Sequence, residues 1–396
     1  MDFSEAFALF KSTIKTVIEL KSIINSLSEV NLEATAKQLS NSTYVKNKEN
    51  HKTVINCIIY ASKNRPKNLF LYISLLRLLG TFFDYQDYID SKLLQMHHTM
   101  QLSLFEDGKI GKKDILQFCK RDDDNCCFFF HIYQNESPEN YPFISERTRN
   151  FIQNIKSIDK HIKYCKEGHC EVNIARLIRD DNVEEFTSYC VKQNIGFNTK
   201  IPHSIYEQYS MINSHFDMPT LLEYSAYFCS IKVFKFLWLQ ITEYPNTLPT
   251  FAVAGGDPEI INIIESKKKK DFDSLCVKIA IEYDRPEIIE YLHNQQGIEY
   301  TPFNIVTAIE YNNWTAFNLI LNDNPNFLIF RIPPAMNTFL HIAASSGILE
   351  LVKFFCSLKD SNVAVTDKFG ISFSYFIRLL FIQHQMLKLR SISYFQ

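Results

Sequence analysis

The strongest constraint on the fold is a 28-residue repeat in the C-terminal half of the chain. The segments Ala280–Asp284 and Ala308–Asn312 agree at four of five positions. Each begins with a small residue and is followed by an apolar helical pattern, at Glu287–Leu292 and Trp314–Ile320 respectively. A repeat of this length is typical of stacked helix pairs, in which each pair buries its apolar face against its neighbours.

Three further segments share this pattern. In each of them a small residue (Ala226, Ala252 or Ala343) precedes a second apolar helix. We therefore predict five helix pairs that stack in chain order: Thr220–Leu237, Thr247–Ile264, Leu275–Leu292, Phe303–Ile320 and Thr338–Phe355. The segment Arg176–Phe186 indicates one more pair, although residues 191–219 are too long for a standard connection to the next pair.

The last unit, Thr338–Phe355, resembles the ankyrin repeat, whose pattern is T-P-L-H-x-A-A-x-x-G-x-x-E-[LIV]-[LIV]-x-x-L. Thr338 is suited to cap the first helix, and His341 to hydrogen-bond neighbouring backbone. Asp367–Gly370 resembles the hairpin turn of that family, in which Gly370 is free to adopt a positive φ. The whole chain resembles the trichomonad-type ankyrin-repeat proteins with an uncharacterised helical N-terminal region. This resemblance implies a fold and no activity.

The fold class expected from these patterns is all-α. Apolar residues at spacings of three and four predict helices in the N-terminal part, beginning with an amphipathic helix in residues 1–28. We expect a helical N-terminal region over residues 1–165 and a degenerate ankyrin-like α-solenoid over residues 166–396. The tail 371–396 departs from the repeat pattern, so it is predicted to be a divergent capping helix or a poorly packed segment. Self-association through this apolar tail is an alternative.

Charge and composition exclude several kinds of partner. A net charge of −2 provides no electrostatic attraction to nucleic acid, and the basic run Lys267–Lys270 is interpreted as a solvated turn. The apolar stretches Leu69–Phe83 and Ile371–Ile382 are too short to span a bilayer. Ten irregularly spaced cysteines and an acidic N-terminus, unlike a signal peptide, indicate a cytoplasmic protein, which we expect to be a monomer.

Only one group of residues suggests metal chemistry. It consists of His161, Cys165, His169 and Cys170, all of them residue types that bind structural zinc. Their spacing matches no zinc signature, so ordinary helix residues are the favoured interpretation. We expect no cofactor, no metal and no catalytic activity. The alternative is a catalytic or metal-binding N-terminal domain that uses the solenoid to dock its substrate.

The expected function is binding to another protein. In ankyrin repeats the two residues before the turn between the helices face a concave groove. By alignment these positions are Tyr227 and Phe228, Ala254 and Gly255, Glu282 and Tyr283, Glu310 and Tyr311, and Ser345 and Ser346. Tyrosine is enriched in interface hot spots, so these positions predict a partly acidic groove whose aromatic side chains bind a partner. The alternative is that the aromatic residues pack on neighbouring repeats.

Overall fold

The computed structural model describes residues 1–83, 85, 96–120, 122–134, 145–213, 218–267, 272–359 and 365–372. Within these ranges the protein is all-α, with isolated β-bridges and no strand. Its residues form two compact units. The first unit combines Met1–Glu19 with Phe272–Gln396, and the second is Leu20–Asp271. No helix in the described ranges combines the length and the apolar character needed to cross a membrane.

From Leu20 onward, the N-terminal helices build a large apolar core within the second unit. In chain order the helices are α1 (Phe3–Asn25), α2 (Leu32–Asn41), α3 (Thr43–Lys46), α4 (Lys48–Asn64), α5 (Leu69–Leu79), α6 (His98–Glu106), α7 (Lys112–Cys119), α8 (Asp123–Phe128), α9 (Phe130–Tyr133), α10 (Glu146–Asn154) and α11 (Ile158–Glu167). Burial of apolar area drives this packing. Tyr72, Leu75 and Phe128 are among the side chains that are completely buried in the core.

Six helix pairs follow α11 in the described residues. They are α12 (Asn173–Arg179) with α13 (Val183–Gln193), α14 (Leu221–Tyr227) with α15 (Ile231–Gln240), α16 (Leu248–Gly255) with α17 (Pro258–Lys267), α18 (Ser274–Glu282) with α19 (Pro286–Asn294), α20 (Pro302–Glu310) with α21 (Trp314–Asp323), and α22 (Phe339–Ser346) with α23 (Leu349–Ser357). The last five lie where the repeat predicted them, and the first contains Arg176–Phe186.

Neighbouring pairs stack within each unit. In the second unit the first helices α12, α14 and α16 contact one another in order, and so do the second helices α13, α15 and α17. In the first unit α18, α20 and α22 contact one another in order, and α19 contacts α21. The predicted stacking is therefore confirmed inside each unit. Residue 165, where we expected the N-terminal region to end, lies inside α11 of the second unit.

Each of the six pairs turns through one residue with a left-handed backbone. These residues are Asp181, Cys229, Gly256, Asp284, Asn312 and Gly347, with φ between 49° and 84°. Such a residue ends a helix and frees the chain to reverse direction, and Gly, Asn and Asp adopt this conformation at the least cost. The turns therefore place the five aligned pairs of residues at equivalent positions.

Hydrogen bonds of one histidine stabilise the start of the last helix pair, as predicted from the sequence. The Thr338 hydroxyl lies 2.7 Å from His341 Nδ1, and the Thr338 N–H donates to the same nitrogen at 3.3 Å. His341 Nε2 lies 3.0 Å from the Ile371 carbonyl oxygen, so this nitrogen is the donor. Gly370 adopts the expected positive φ, 75°. His341 thus links the start of α22 to the following hairpin.

The first helix completes the first unit. The Phe10 ring lies 5.8 Å from Trp314, 5.5 Å from Phe317 and 5.0 Å from Phe354. The Met1 amino group also donates to the Ser357 carbonyl at 2.9 Å. The apolar stripe of the predicted amphipathic helix therefore covers the second helices of the last two pairs.

Residues 195–213 form an irregular excursion between α13 and α14. Tyr206 enters the N-terminal core, and the Tyr209 hydroxyl donates to the Pro66 carbonyl at 3.5 Å. Because α12 and α13 still contact α14 and α15, the long connection does not interrupt the stack. The predictions for the tail beyond Ser372 and for Lys268–Lys270 fall outside the described residues.

Candidate interaction surface

We define the turn-end positions as the two residues that precede each left-handed turn residue in the last five helix pairs. They are Tyr227 and Phe228, Ala254 and Gly255, Glu282 and Tyr283, Glu310 and Tyr311, and Ser345 and Ser346. The stacking brings equivalent positions of neighbouring pairs side by side within each unit. Their exposure differs sharply between the two units.

In the second unit the turn-end aromatics are covered by the chain itself. Tyr227 and Phe228 are each only 1% exposed. The Tyr209 ring packs on both of them, at 6.0 and 6.2 Å between centroids, and His169 packs on Phe228 at 5.7 Å. The expectation that these two aromatics face an open groove is corrected, because the residues pack on neighbouring parts of the chain.

Ala254 and Gly255 are also buried, for a different reason. Helices α14 and α16 approach so closely that a Cβ on Gly255 would lie 2.3 Å from the Ala226 carbonyl oxygen. That atom belongs to the backbone of α14, so no side-chain rotation can relieve the clash. Gly255 therefore allows α14 and α16 to pack closely, and because it is buried it is not available to contact a partner.

In the first unit most turn-end positions are open. Glu310, Ser345 and Ser346 are exposed. Glu282 and Tyr311 are half-buried, whereas Tyr283 is buried at 5% exposure and is removed from the predicted surface. We call Glu282, Glu310, Tyr311, Ser345 and Ser346 the open turn ends.

A polar contact joins two neighbouring pairs at the open turn ends. The Tyr311 hydroxyl interacts with the Glu282 carboxylate of the preceding pair. Burial raises the pKa of Tyr311 well above its ordinary value, and the Glu282 and Glu310 charges raise it further. Tyr311 therefore stays neutral as a donor and leaves the acidic character of this surface to the two glutamates.

The excursion that covers Tyr227 is held by a buried polar network. The Tyr224 hydroxyl donates to Glu207 Oε1 at 3.0 Å and accepts a 2.6 Å bond from Arg179. His169 Nδ1 lies 3.5 Å from the same Glu207 oxygen. Charge-assisted bonds of this kind are stronger than neutral ones. This network could not be predicted from the sequence, because residues 195–213 have no periodic pattern.

The residues considered for zinc are not assembled as a group of four. His161 and Cys165 lie together on α11, but His169 faces Glu207 and the Cys170 thiol faces the Pro202 carbonyl oxygen at 4.0 Å. A different partner, His131, joins His161 and Cys165, so that one ligand atom of each lies within 4.8 Å of the others. His131 was missed because it precedes His161 by 30 residues and forms no spacing signature.

Comparison with known proteins adds one partial match. A family model described as "Domain of unknown function (DUF3447)" matches residues 239–320. The match covers 82 of the 396 residues and runs through the helix pairs from α16 to α21. No curated protein matches the chain. The matched family carries no stated activity, so the function is argued from the geometry.

Proposed function

We propose that this chain is a non-catalytic protein-interaction module of the ankyrin-repeat type, related to the trichomonad-type ankyrin-repeat proteins. The stacked helix pairs, the left-handed turn residues and the Thr338–His341 cap all support this assignment. The module holds an extended segment of a partner protein against the ends of its first helices.

The observation that carries the proposal is the chain's own excursion. Within the second unit the irregular segment around Glu207 and Tyr209 lies against turn-end residues Tyr227 and Phe228. A carboxylate in it accepts a hydrogen bond from Tyr224, one turn earlier on α14. A non-helical segment with an aromatic and a charged side chain thus fits this place in the repeat. Equivalent positions in the first unit are open to a segment of another protein.

The open turn ends define the chemistry of that partner. Glu282 and Glu310 supply negative charge at equivalent positions of adjacent pairs, and Tyr311 lies beside them with its ring half-exposed. A segment with basic and apolar side chains complements this surface, since charge complementarity steers association and tyrosine contributes hot-spot contacts. The same glutamates repel phosphate backbones, so nucleic acid is not the proposed partner.

The proposed location is the cytoplasm, and the proposed state is a monomer. All ten cysteines lie in the described residues and none forms a disulfide. Ten thiols that form no disulfide suit a reducing compartment.

The first prediction tests the open turn ends directly. Peptides selected from a displayed random library against the full chain should share basic and apolar residues. The double variant Glu282→Gln and Glu310→Gln should weaken such a peptide about 10-fold or more, since close charge pairs at interfaces couple by about 1.5 kcal/mol or more. Fluorescence anisotropy at low and at physiological salt measures both effects.

A matched control separates the site from net charge. Glu287 and Glu290 are exposed on the second helix α19, so their double change to Gln removes the same charge elsewhere. Peptide affinity should be unchanged in this control. The proposal fails if both double variants weaken the peptide equally, or if the chain instead binds RNA or DNA tightly in a salt-sensitive way.

A further inference from the structure

Three metal-ligating side chains converge at the end of α8, within the second unit. Cys165 Sγ lies 3.6 Å from His161 Nε2, one helical turn away on α11. His131, on α9, brings its ligand atom within 4.8 Å of both. His161 and Cys165 are buried at 2% and 0% exposure, whereas His131 is half-buried. The cluster is therefore enclosed but reachable from the His131 side.

A single carbonyl group faces all three side chains. The Phe128 oxygen lies 3.1 Å from His161 Nε2 and 3.3 Å from Cys165 Sγ, and it also faces the His131 ring. A carbonyl oxygen has two lone pairs, so it cannot satisfy three donors. Among the described residues, His131 Nδ1 is indeed buried without a hydrogen bond of normal geometry. The hydrogen bonds within this part of the chain thus leave that ring nitrogen incompletely satisfied.

The distances match the edges of a metal coordination shell. Zinc binds imidazole nitrogen at about 2.0–2.1 Å and thiolate sulfur at about 2.3 Å, so neighbouring ligands in a tetrahedron lie about 3.3–3.6 Å apart. The contact between Cys165 and His161 already has this length, and so does the 3.3 Å distance from Cys165 Sγ to the Phe128 oxygen, whereas His161 Nε2 lies slightly closer to that oxygen, at 3.1 Å. His131 lies within 4.8 Å of the other two ligand atoms, so an inward movement of its side chain completes the shell.

The far side of His161 is oriented as in many metal sites. Its Nδ1 lies 2.9 Å from the Tyr206 hydroxyl oxygen. Metal-binding histidines commonly give their second nitrogen to such a partner, which fixes the ring and presents the other lone pair to the metal.

We propose that His131, His161 and Cys165 bind one zinc ion, with the Phe128 carbonyl oxygen available as the fourth ligand. The ion joins α9 to α11 and so braces the core of the second unit. Binding converts the Cys165 thiol to a thiolate and releases its proton to solvent. This structure-based site replaces the expectation of no metal, and it differs from the group of four residues considered from the sequence.

Zinc uptake by the full chain tests the site. The tag-free protein, stripped with a chelator and dialysed against Zn²⁺ alone, should retain one equivalent by elemental analysis. Co²⁺ in place of Zn²⁺ should give a thiolate-to-metal charge-transfer band, because the sulfur is a direct ligand. His131→Ala and Cys165→Ser should each weaken zinc binding by more than about 10-fold, since the loss of mere outer-shell partners already costs 10–100-fold.

Two control variants make the result decisive. Cys170→Ser removes another buried thiol five residues away, and His293→Ala removes a half-buried histidine that lies in the first unit. Both should keep the full equivalent of zinc, and Cys170→Ser should keep the cobalt band. Circular dichroism tests whether each variant is folded. If Cys165→Ser unfolds, the zinc affinity of His131→Ala still tests the site, because His131 is half-buried. The absence of a zinc equivalent in the unchanged protein overturns the proposal, as does uptake that His131→Ala leaves unaltered.

Discussion

The absence of a side chain at Gly255 allows two neighbouring helices, α14 and α16, to approach closely. Its backbone lies against the Ala226 and Tyr227 carbonyls of the neighbouring helix, and a Cβ there would come within 2.3 Å of the first. Alanine is the better helix former by about 1 kcal/mol, so intrinsic propensity argues against a glycine at the end of α16. The close approach of α14 and α16 overrides that preference.

Replacement of Gly255 by alanine should therefore destabilise the protein. We expect a loss of about 1–3 kcal/mol, typical of overpacking, because the clashing atom is backbone and the helices must separate. Gly196→Ala is the matched control, since Gly196 has open space around it and no positive φ. That change should be neutral or stabilise by up to about 1 kcal/mol. Urea unfolding of both variants measures the difference, and equal effects would contradict the close approach.

The structural roles of some single residues could be predicted from the sequence, and those of others could not. The roles of Thr338, His341 and Gly370 followed from local spacing, because caps and turns depend on residues only a few positions apart. The burial of Tyr227 and Phe228 did not follow, because it depends on Tyr209 in a segment without periodicity. The position of His131 in the metal-ligating cluster was also not predicted, because its partners His161 and Cys165 lie on α11, far from it in sequence.

At the scale of helices, the repeat fixed which elements form and in what order they stack. Small residues such as Ala280 and Ala308 mark where first helices contact one another, and both are completely buried. Alternation of small and large apolar residues is a local signal, so all five helix pairs were predictable. The irregular segment 195–213 was not, because its shape is imposed by the helices it packs against.

A pair of variants in the first helices tests the phase of this stacking. Ala308→Leu places a large side chain in the contact between α20 and its neighbours, and it should cost about 1–3 kcal/mol. Ser346→Ala should change stability by no more than about 0.5 kcal/mol, because Ser346 is exposed and its hydroxyl donates to the Ala343 carbonyl of its own helix. Chemical denaturation compares them. A similar loss in both would mean that the assigned phase is wrong.

At the scale of the whole molecule, the first unit is built from both ends of the described chain. Residues 1–19 pack with the helix pairs after Phe272, through a cluster of rings centred on Phe10. Such contacts between residues far apart in sequence cannot be read from a repeat. The sequence showed an amphipathic first helix, but not which surface it would cover.

Loss of the Phe10 ring should therefore destabilise the last helix pairs. Phe10 is 3% exposed and touches three other rings, so Phe10→Ala should cost about 3–5 kcal/mol. Leu9→Ala on the same helix is the control. Leu9 is 55% exposed, and its change should stay within about 0.5 kcal/mol. Hydrogen exchange should show that Phe10→Ala lowers the protection of backbone amides in α21 and α23. Increased exchange confined to α2–α5 would refute this assignment.

Repeat proteins usually grow and shrink by duplication or deletion of a unit, because each unit contacts only its neighbours. The ring of Phe10 touches α21 and α23, which belong to successive pairs. A duplicated pair inserted between them would carry Phe354 away from Phe317 and leave Phe10 with only part of its binding site. The first helix therefore fits only an arrangement in which α21 and α23 belong to successive pairs, so a pair inserted between them should destabilise the first unit.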